Sequence, residues 1–438
     1  MASAAGTGST TAGTRARRRE TIAATTVGNA LEFFDFTVYG FLALVIGRLF
    51  FPTFDSNGQL LLAIATFGVG FVMRPLGGIV IGAYADRAGR KKAMTLTIFL
   101  MALGCAIIAF TPTYASIGAA APAAIVLARL IQGFSAGGEV GASTTLLVEH
   151  ATPADRGYMA SWQYASQGLG VLLGAVMVAA LTFLLTPQAM ASWGWRLPFI
   201  AGMAIAPVGL VIRRRLHESL HVAAGPRPNS LAVVCRDHRA TVLAAVFSMI
   251  GSTTAAYVVT FYMPAYAVRE LGLPPSVALS GAALTGLVAF VAAPWVGRLS
   301  DRAGRKPLIV WGRIALSALI LPGFLWLASS PTPAALYAVL GVFSLVLALQ
   351  AVPSVTMLPE MFPKAVRASG MSLVYSLGVA LFGGFAPLTS TWLLAATGSK
   401  LAPAWYLVAM TLVSLAALPW LRDQAGRDID APGAQEPA

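Results

Sequence analysis

A chain of 438 residues, 57% hydrophobic and 11% charged, carries too little charge to clothe soluble cores, in which about a quarter of residues are charged. Its mean hydropathy of +0.74 places it among membrane proteins, and an all-α one is expected. The formal net charge of +13 lies in short segments between long apolar runs, a pattern of membrane anchoring that excludes nucleic acid as the partner.

Residues 1–20, rich in Gly, Ser, Thr and Ala with basic residues from Arg15 to Arg19, read as a disordered cytoplasmic tail. The next apolar run, of some 25 residues, is too long for a signal-peptide core and reads as an uncleaved first span. Twelve apolar runs have the length that a helix needs to cross hydrocarbon. Six cover 22–47, 58–84, 92–111, 118–148, 157–185 and 195–213, within an N-terminal half at 21–213. Six more cover 240–266, 276–299, 307–328, 333–358, 367–396 and 403–421, within a C-terminal half at 240–421. Between the halves, 214–239 holds Pro226, Pro228 and a run of charges and reads as a cytoplasmic linker; 422–438 is a second cytoplasmic tail. Cys105 lies in an apolar run and Cys235 in a basic loop, so no disulfide is expected.

Loops after even-numbered runs carry Arg87, Arg90, Lys91 and Lys92, then Arg156, then Arg213 to Arg215, then Arg302, Arg305 and Lys306, then Lys364 and Arg367. The loops 51–57, 112–117 and 329–332 carry no Lys or Arg, and Arg48, Arg269 and Lys400 are the exceptions at odd-loop edges. Both termini are expected in the cytoplasm.

The loop Gly82-Ala83-Tyr84-Ala85-Asp86-Arg87-Ala88-Gly89-Arg90-Lys91 recurs 215 residues later as Gly297-Arg298-Leu299-Ser300-Asp301-Arg302-Ala303-Gly304-Arg305-Lys306, with seven of ten positions identical. Glu149, Arg156, Ser161 and Tyr164 recur as Glu360, Arg367, Ser372 and Tyr375, 211 residues on. The chain reads as two versions of one six-helix half. In the duplicated turn, Asp86 and Asp301 can cap helix starts or pair with arginines across the half interface. Gly82, Arg87, Gly89 and Arg90, with Arg302, Gly304 and Arg305 in the second copy, complete an expected gate that holds the inside closed.

The first run places Asn29, Glu32, Asp35 and Tyr39 within one arc of about 120°. A carboxylate deep in a span costs about 2.5–3.5 kcal/mol on insertion scales, so both acids should face a cavity or a partner. Proton coupling is the expected role, and pairing of Glu32 with an arginine is the plainer alternative. The fourth run sets Arg129, Gln132, Ala136, Glu139 and Ser143 on one stripe, with Gly133, Gly137 and Gly138 for close helix approach. Arg129 offers bidentate recognition of a substrate carboxylate, or serves as counter-ion to Asp35 or Glu139. A proton that neutralises the acid and frees the arginine for an anion would couple the two. Glu139 reads equally as proton relay or structural partner.

Arg74, in the second run, is a further intramembrane cation. It suits a substrate with more than one carboxylate, or pairs with Asp35 or Glu32. Gln163, Ser166 and Gln167 in the fifth run, Thr253, Tyr257 and Thr260 in the seventh, and Gln350 in the tenth are substrate contacts or helix glue. The second half is expected to hold no comparable deep charge. His150, His217, His221 and His238 lie in loops without ligand spacing, so no metal is expected. There is no G-x-x-x-x-G-K-[ST] loop for ATP, no cofactor signature and no cluster of nucleophile, base and metal, which argues against an enzyme.

With that turn duplicated and Arg129-x-x-x-Gly133-x-x-x-Gly137 in the fourth run, the chain resembles the major facilitator superfamily of transporters. Gly28-Asn29-Ala30-Leu31-Glu32-Phe33-Phe34-Asp35-Phe36, Met73-Arg74-Pro75-Leu76-Gly77 and Arg129-Leu130-Ile131-Gln132-Gly133-Phe134-Ser135-Ala136-Gly137-Gly138-Glu139 resemble its metabolite:proton symporter family. Ser161-Trp162-Gln163-Tyr164-Ala165-Ser166-Gln167, Trp193-Gly194-Trp195-Arg196-Leu197-Pro198-Phe199 and Phe382-Gly383-Gly384-Phe385-Ala386-Pro387 are similar to bacterial citrate and tricarballylate proton symporters. The resemblance departs at Leu349-Gln350-Ala351 and in the seventh run, which has fewer threonines.

It implies a twelve-span fold whose halves rock around a substrate at mid-membrane. The expected protein is a monomeric transporter of the bacterial inner membrane that imports a di- or tricarboxylate with protons, Na⁺ being left open. Rival readings are a symporter of 2-oxoglutarate, shikimate, betaine or proline, a drug-exporting antiporter, and a non-transporting membrane sensor.

Overall fold

Hydrocarbon offers the backbone no partners, so an apolar run must close its hydrogen bonds within itself, as an α-helix does. The computed structural model describes residues 7–52, 56–214 and 230–431. Among them, twelve helices are long and apolar enough to cross a membrane. Spans 1 to 6 are Arg18–Phe50, Gly68–Ala88, Arg90–Phe110, Ala120–Glu149, Arg156–Leu184 and Gly194–Val211. Spans 7 to 12 are Arg239–Arg269, Pro275–Ala303, Arg305–Ser329, Pro333–Glu360, Arg367–Thr397 and Ala402–Trp420. The protein is a multi-pass membrane protein.

Two glycines set the ends of spans that lead into the duplicated turns. Gly89, at φ 104°, separates spans 2 and 3, and Gly304, at φ 90°, separates spans 8 and 9. A side chain is strained in that left-handed region, so the chain reverses there only with glycine. Elsewhere glycine acts by its size. A Cβ at Gly133 or Gly137 would collide with the carbonyl oxygens of Gly70 and Arg74, so spans 2 and 4 lie backbone against backbone.

The halves meet along spans 5 and 8 and along spans 2 and 11. Gly168 faces Gly286 and Gly157 faces Gly297 at the first seam, while Gly82 packs on Ser369 and Ser372 at the second. Spans 7 and 11 each hold a π-helical turn, Val258–Tyr262 and Val379–Gly383, just before Pro264 and Pro387. A proline ring has no N–H to give, and the widened turn absorbs the missing bond. Large apolar side chains such as Trp295, Trp311, Trp392 and Trp405 are exposed around the bundle, which suits a lipid surround.

Two segments depart from the expectations. The first helix begins at Thr7, inside the stretch expected to be disordered. No proline interrupts residues 7–20, and a helix already nucleated by span 1 extends backwards at little cost. Arg18 then reaches Asp155 at 2.6 Å. Of the linker, 215–229 lies outside the described residues, and Ser230–Asp237 is a short helix ahead of span 7. Cys105 is buried and Cys235 exposed, both as free thiols.

Candidate functional site

Glu32 and Asp35 share one face of span 1, yet each meets a different arginine. Asp35 Oδ2 lies 2.5 Å from Arg129 Nη1 of span 4, and both residues are buried. The Arg129 guanidinium lies 3.7 Å above the Tyr39 ring and donates to Gln132 Oε1 at 2.7 Å. Cys105 Sγ stands 3.5 Å from Asp35 Oδ1 and accepts from Gln132 Nε2 at the same distance. This pair is enclosed by first-half residues. Among the described residues Arg129 Nε and Nη2 have no acceptor, so the guanidinium keeps donors in reserve.

Glu32 Oε1 lies 3.2 Å from Arg74 Nη2 of span 2. Arg74 is sandwiched between the rings of Phe36 and Phe71, at 4.6 and 4.5 Å from their centroids. Its Nη1 donates to Tyr257 Oη of span 7 at 3.2 Å, so this cation touches the opposite half. Among the described residues, Glu32 Oε2 and Arg74 Nε have no hydrogen-bond partner. A buried guanidinium with a single carboxylate and a neutral hydroxyl is poised to accept a second anion.

Beside Tyr257 a cavity opens between the halves, lined by Phe33, Tyr164 and Gln167 of the first and by Ser252, Tyr257 and Tyr375 of the second. Gln167 Nε2 donates to Tyr375 Oη at 3.2 Å across it. The lining is mostly apolar with a few converging polar groups, the usual composition of a small-molecule site.

At one end of the bundle the duplicated turns build a lattice with twofold pseudosymmetry. Asp86 accepts from the backbone N–H groups of Ala368 and Ser369, at 3.2 and 2.8 Å, where span 11 begins. Asp301 accepts from those of Gly157 and Tyr158, at 2.7 and 2.8 Å, where span 5 begins. Each aspartate also pairs within its own half: Arg90 lies 2.6 Å from Asp86 and Arg305 lies 2.9 Å from Asp301. Glu149 joins Arg90 to Arg367, at 3.1 and 3.5 Å, and Glu360 joins Arg305 to Arg156, at 3.0 and 2.9 Å. The halves are tied shut at this end.

The sequence model of the Major Facilitator Superfamily matches residues 25–373 and 282–437. The chain belongs to the major facilitator superfamily. It is 40% identical over 402 residues to the citrate-proton symporter of Salmonella typhi, covering 90% of this chain and 92% of that one. It is 36% identical over 402 residues to the alpha-ketoglutarate permease of Escherichia coli, covering 91% and 92%. A glycine betaine/proline/ectoine/pipecolic acid transporter of Dickeya dadantii is 34% identical over 432 residues, covering 94% and 85%. The fold superimposes on the major facilitator proton:xylose symporter XylE with a TM-score of 0.81 at 17% identity, covering 95% and 98% of the two chains. The chain is a transporter of this superfamily and not an enzyme.

On that major facilitator frame the residues singled out within the spans, Glu139 apart, fall into three groups. Glu32, Asp35, Arg74, Arg129, Tyr39 and Gln132 form the two ion-pair clusters, and Gln167 and Tyr257 line the cavity. Asn29, Gln163 and Gln350 serve as ties between helices. Asn29 Nδ2 donates to Ser166 Oγ at 2.7 Å and to Gln163 O at 3.0 Å, Gln163 Oε1 accepts from Ser143 Oγ at 2.9 Å, and Gln350 Oε1 accepts from Ser252 Oγ at 3.4 Å. Glu139 accepts a hydrogen bond from Thr97 Oγ1 of span 3. In the turns, Arg87 and Arg302 are exposed and stay out of the lattice.

The second half does hold a deep charge. Arg313 of span 9 is fully buried and donates to Ser414 O at 2.8 Å and Ser248 O at 2.5 Å, with no carboxylate partner among the described residues. Arg313 stands inside the ninth apolar run, as visible in the sequence as Arg74 or Arg129, and the expectation overlooked it; what no residue pattern signals is how it is satisfied, by carbonyl oxygens of two neighbouring spans. Tyr164 and Tyr375 were missed as cavity residues, although their recurrence 211 residues apart pointed to matched positions in the two halves.

Proposed function

We propose that the chain imports a di- or tricarboxylate, citrate first, together with protons across a bacterial inner membrane. Both termini and the duplicated turns face the cytoplasm, as the Lys and Arg distribution favours. The observation that carries the reading is Arg74, a buried cation that bridges Glu32 of its own half and Tyr257 of the other beside the central cavity. A substrate carboxylate arriving there competes with Glu32 for the guanidinium, and the displaced Glu32 then takes a proton. The Asp35–Arg129 pair is the second coupling element: a proton on Asp35 removes the charge that holds Arg129 and releases its donors. Substrate and proton thereby load together, the outside closes, and the lattice around Asp86 and Asp301 opens inward.

A zwitterion is the second reading, favoured by the balanced charge of Glu32 and Arg74, which can be split by an ammonium on one side and a carboxylate on the other.

The test is uptake of labelled citrate by proteoliposomes under an imposed inward proton gradient, chased with unlabelled tricarballylate, 2-oxoglutarate, shikimate or betaine. Accumulation blocked by tricarballylate supports the proposal. Accumulation blocked only by betaine moves the substrate to the zwitterion, and binding without accumulation removes the coupling.

A further inference from the structure

We propose that residues 422–431 form a strap that holds the turn end of the bundle shut and must let go before that end can open. Asp423 Oδ2 accepts from the backbone N–H groups of Arg305 and Lys306, at 2.7 and 2.9 Å, at the start of span 9 in the second half. Its neighbour Gln424 offers its carbonyl to Arg156 Nη2 of the first half at 2.7 Å, and the carbonyl of Arg427 accepts from the same nitrogen at 2.7 Å. Ile429 is buried against Val148 and Ala160 of the first half. Asp430 returns to the second half, 2.6 Å from Arg367 Nη2. The segment thus crosses the seam twice.

The lack of slack makes this a lock and not merely packing. Asp423 and Gln424 are consecutive residues, whose Cα atoms are about 3.8 Å apart, yet they bind opposite halves. The halves cannot part there by more than a bond length or so without breaking one of the two attachments. The strap also chooses its partners. Arg156 and Arg367 are the two arginines that join Glu360 and Glu149 across the seam, so the segment reinforces the same contacts that an opening movement must break. A segment that occupies this position makes opening at the turn end contingent on its own release.

The inference depends on the transport reading only in requiring that the halves move, and its first test needs no substrate. Ser354, on the cavity wall, is replaced by cysteine in a Cys235→Ser background; Cys105 is buried. Labelling by a membrane-impermeant maleimide is measured from each side of oriented vesicles. Asp423→Ala with Ile429→Ser is expected to raise labelling from the side that carries the turns by about tenfold, equivalent to about 1.4 kcal/mol. Unchanged or slower labelling in a variant with an unaltered melting temperature overturns the proposal. A variant that misfolds is replaced by the second test, in which Ile429→Cys and Ala160→Cys are joined by a short bifunctional thiol reagent. Labelling of Ser354→Cys cannot be read in that background, so substrate exchange is followed instead. The joined protein should lose exchange and regain it on cleavage of the reagent, whereas full exchange with the bridge intact overturns the strap.

Discussion

Asp86 and Asp301 each cap the first amides of a helix that belongs to the other half: Asp86 holds span 11 and Asp301 holds span 5. Each carboxylate sits at the positive end of a helix dipole while balancing an arginine at its back. A hydrogen bond to a charged group contributes about 1.5–3 kcal/mol. Asp86→Asn and Asp301→Asn are therefore each expected to shift the balance toward opening at the turn end by about tenfold or more. The two variants should match, because their partners match. Maleimide labelling of a cavity cysteine measures it, and a large difference between the two would contradict the pseudosymmetric reading.

Asp35→Asn keeps a hydrogen-bond acceptor for Arg129 but cannot gain or lose a proton. Accumulation against a gradient should fall to background while exchange of internal for external substrate persists. Exchange in the variant should also lose any pH dependence that Asp35 supplies. Accumulation at wild-type level would remove Asp35 from the coupling step.

Arg74→Lys retains charge but loses the planar fork that spans Glu32 and Tyr257. The expected result is a KM for the carboxylate raised by about tenfold or more with a smaller change in maximal rate, consistent with the loss of about 1.4 kcal/mol of substrate binding. Glu32→Gln removes the competitor for Arg74, so substrate should bind more tightly while accumulation falls. A Glu32→Gln variant that binds more weakly would reverse the assignment of Glu32 as the displaced group.

Arg313→Met replaces the buried guanidinium by an apolar side chain of comparable length. Its three hydrogen bonds, to Ser414 O, Ser248 O and Ser248 Oγ, tie span 9 to spans 12 and 7. Losing them is expected to lower the melting temperature in detergent by a few degrees, the about 1.5–3 kcal/mol of each charged hydrogen bond being partly offset by the desolvation cost that the apolar side chain removes. Substrate KM should stay within about twofold of wild type. A large change in KM with an unaltered melting temperature would place Arg313 on the substrate path instead.

The fold was legible because its signals are periodic and redundant. Apolar length marks each span, and the duplicated turn marks each half. The intramembrane charges of the first half were legible for a related reason: a charge in an apolar run is conspicuous. Which acid meets which arginine was not, since Glu32 and Asp35 are three residues apart and both arginines lie within reach of that face. Choosing between partners requires the crossing of spans 2 and 4, set by Gly133 and Gly137 against carbonyls of span 2. Arg313 was as conspicuous in the ninth run and was overlooked; its partners were not legible, because they are backbone carbonyls, which every sequence has. The docked segment after span 12 escaped because its attachments, a capping aspartate and two carbonyls, look like any polar terminus.

The lattice at the turn end joins Arg90, Arg156, Arg305 and Arg367 to Asp86, Asp301, Glu149 and Glu360, four charges of each sign. Such an assembly is electrically neutral, so parting it into halves transfers no net charge through the bilayer. A membrane voltage supplies about 2.3 kcal/mol per elementary charge per 100 mV and has nothing to pull on there. Whatever electrical work the cycle performs then falls on charges outside the lattice: the cargo, its protons and the side chains buried within the spans, Glu32, Arg74, Asp35, Arg129 and Arg313.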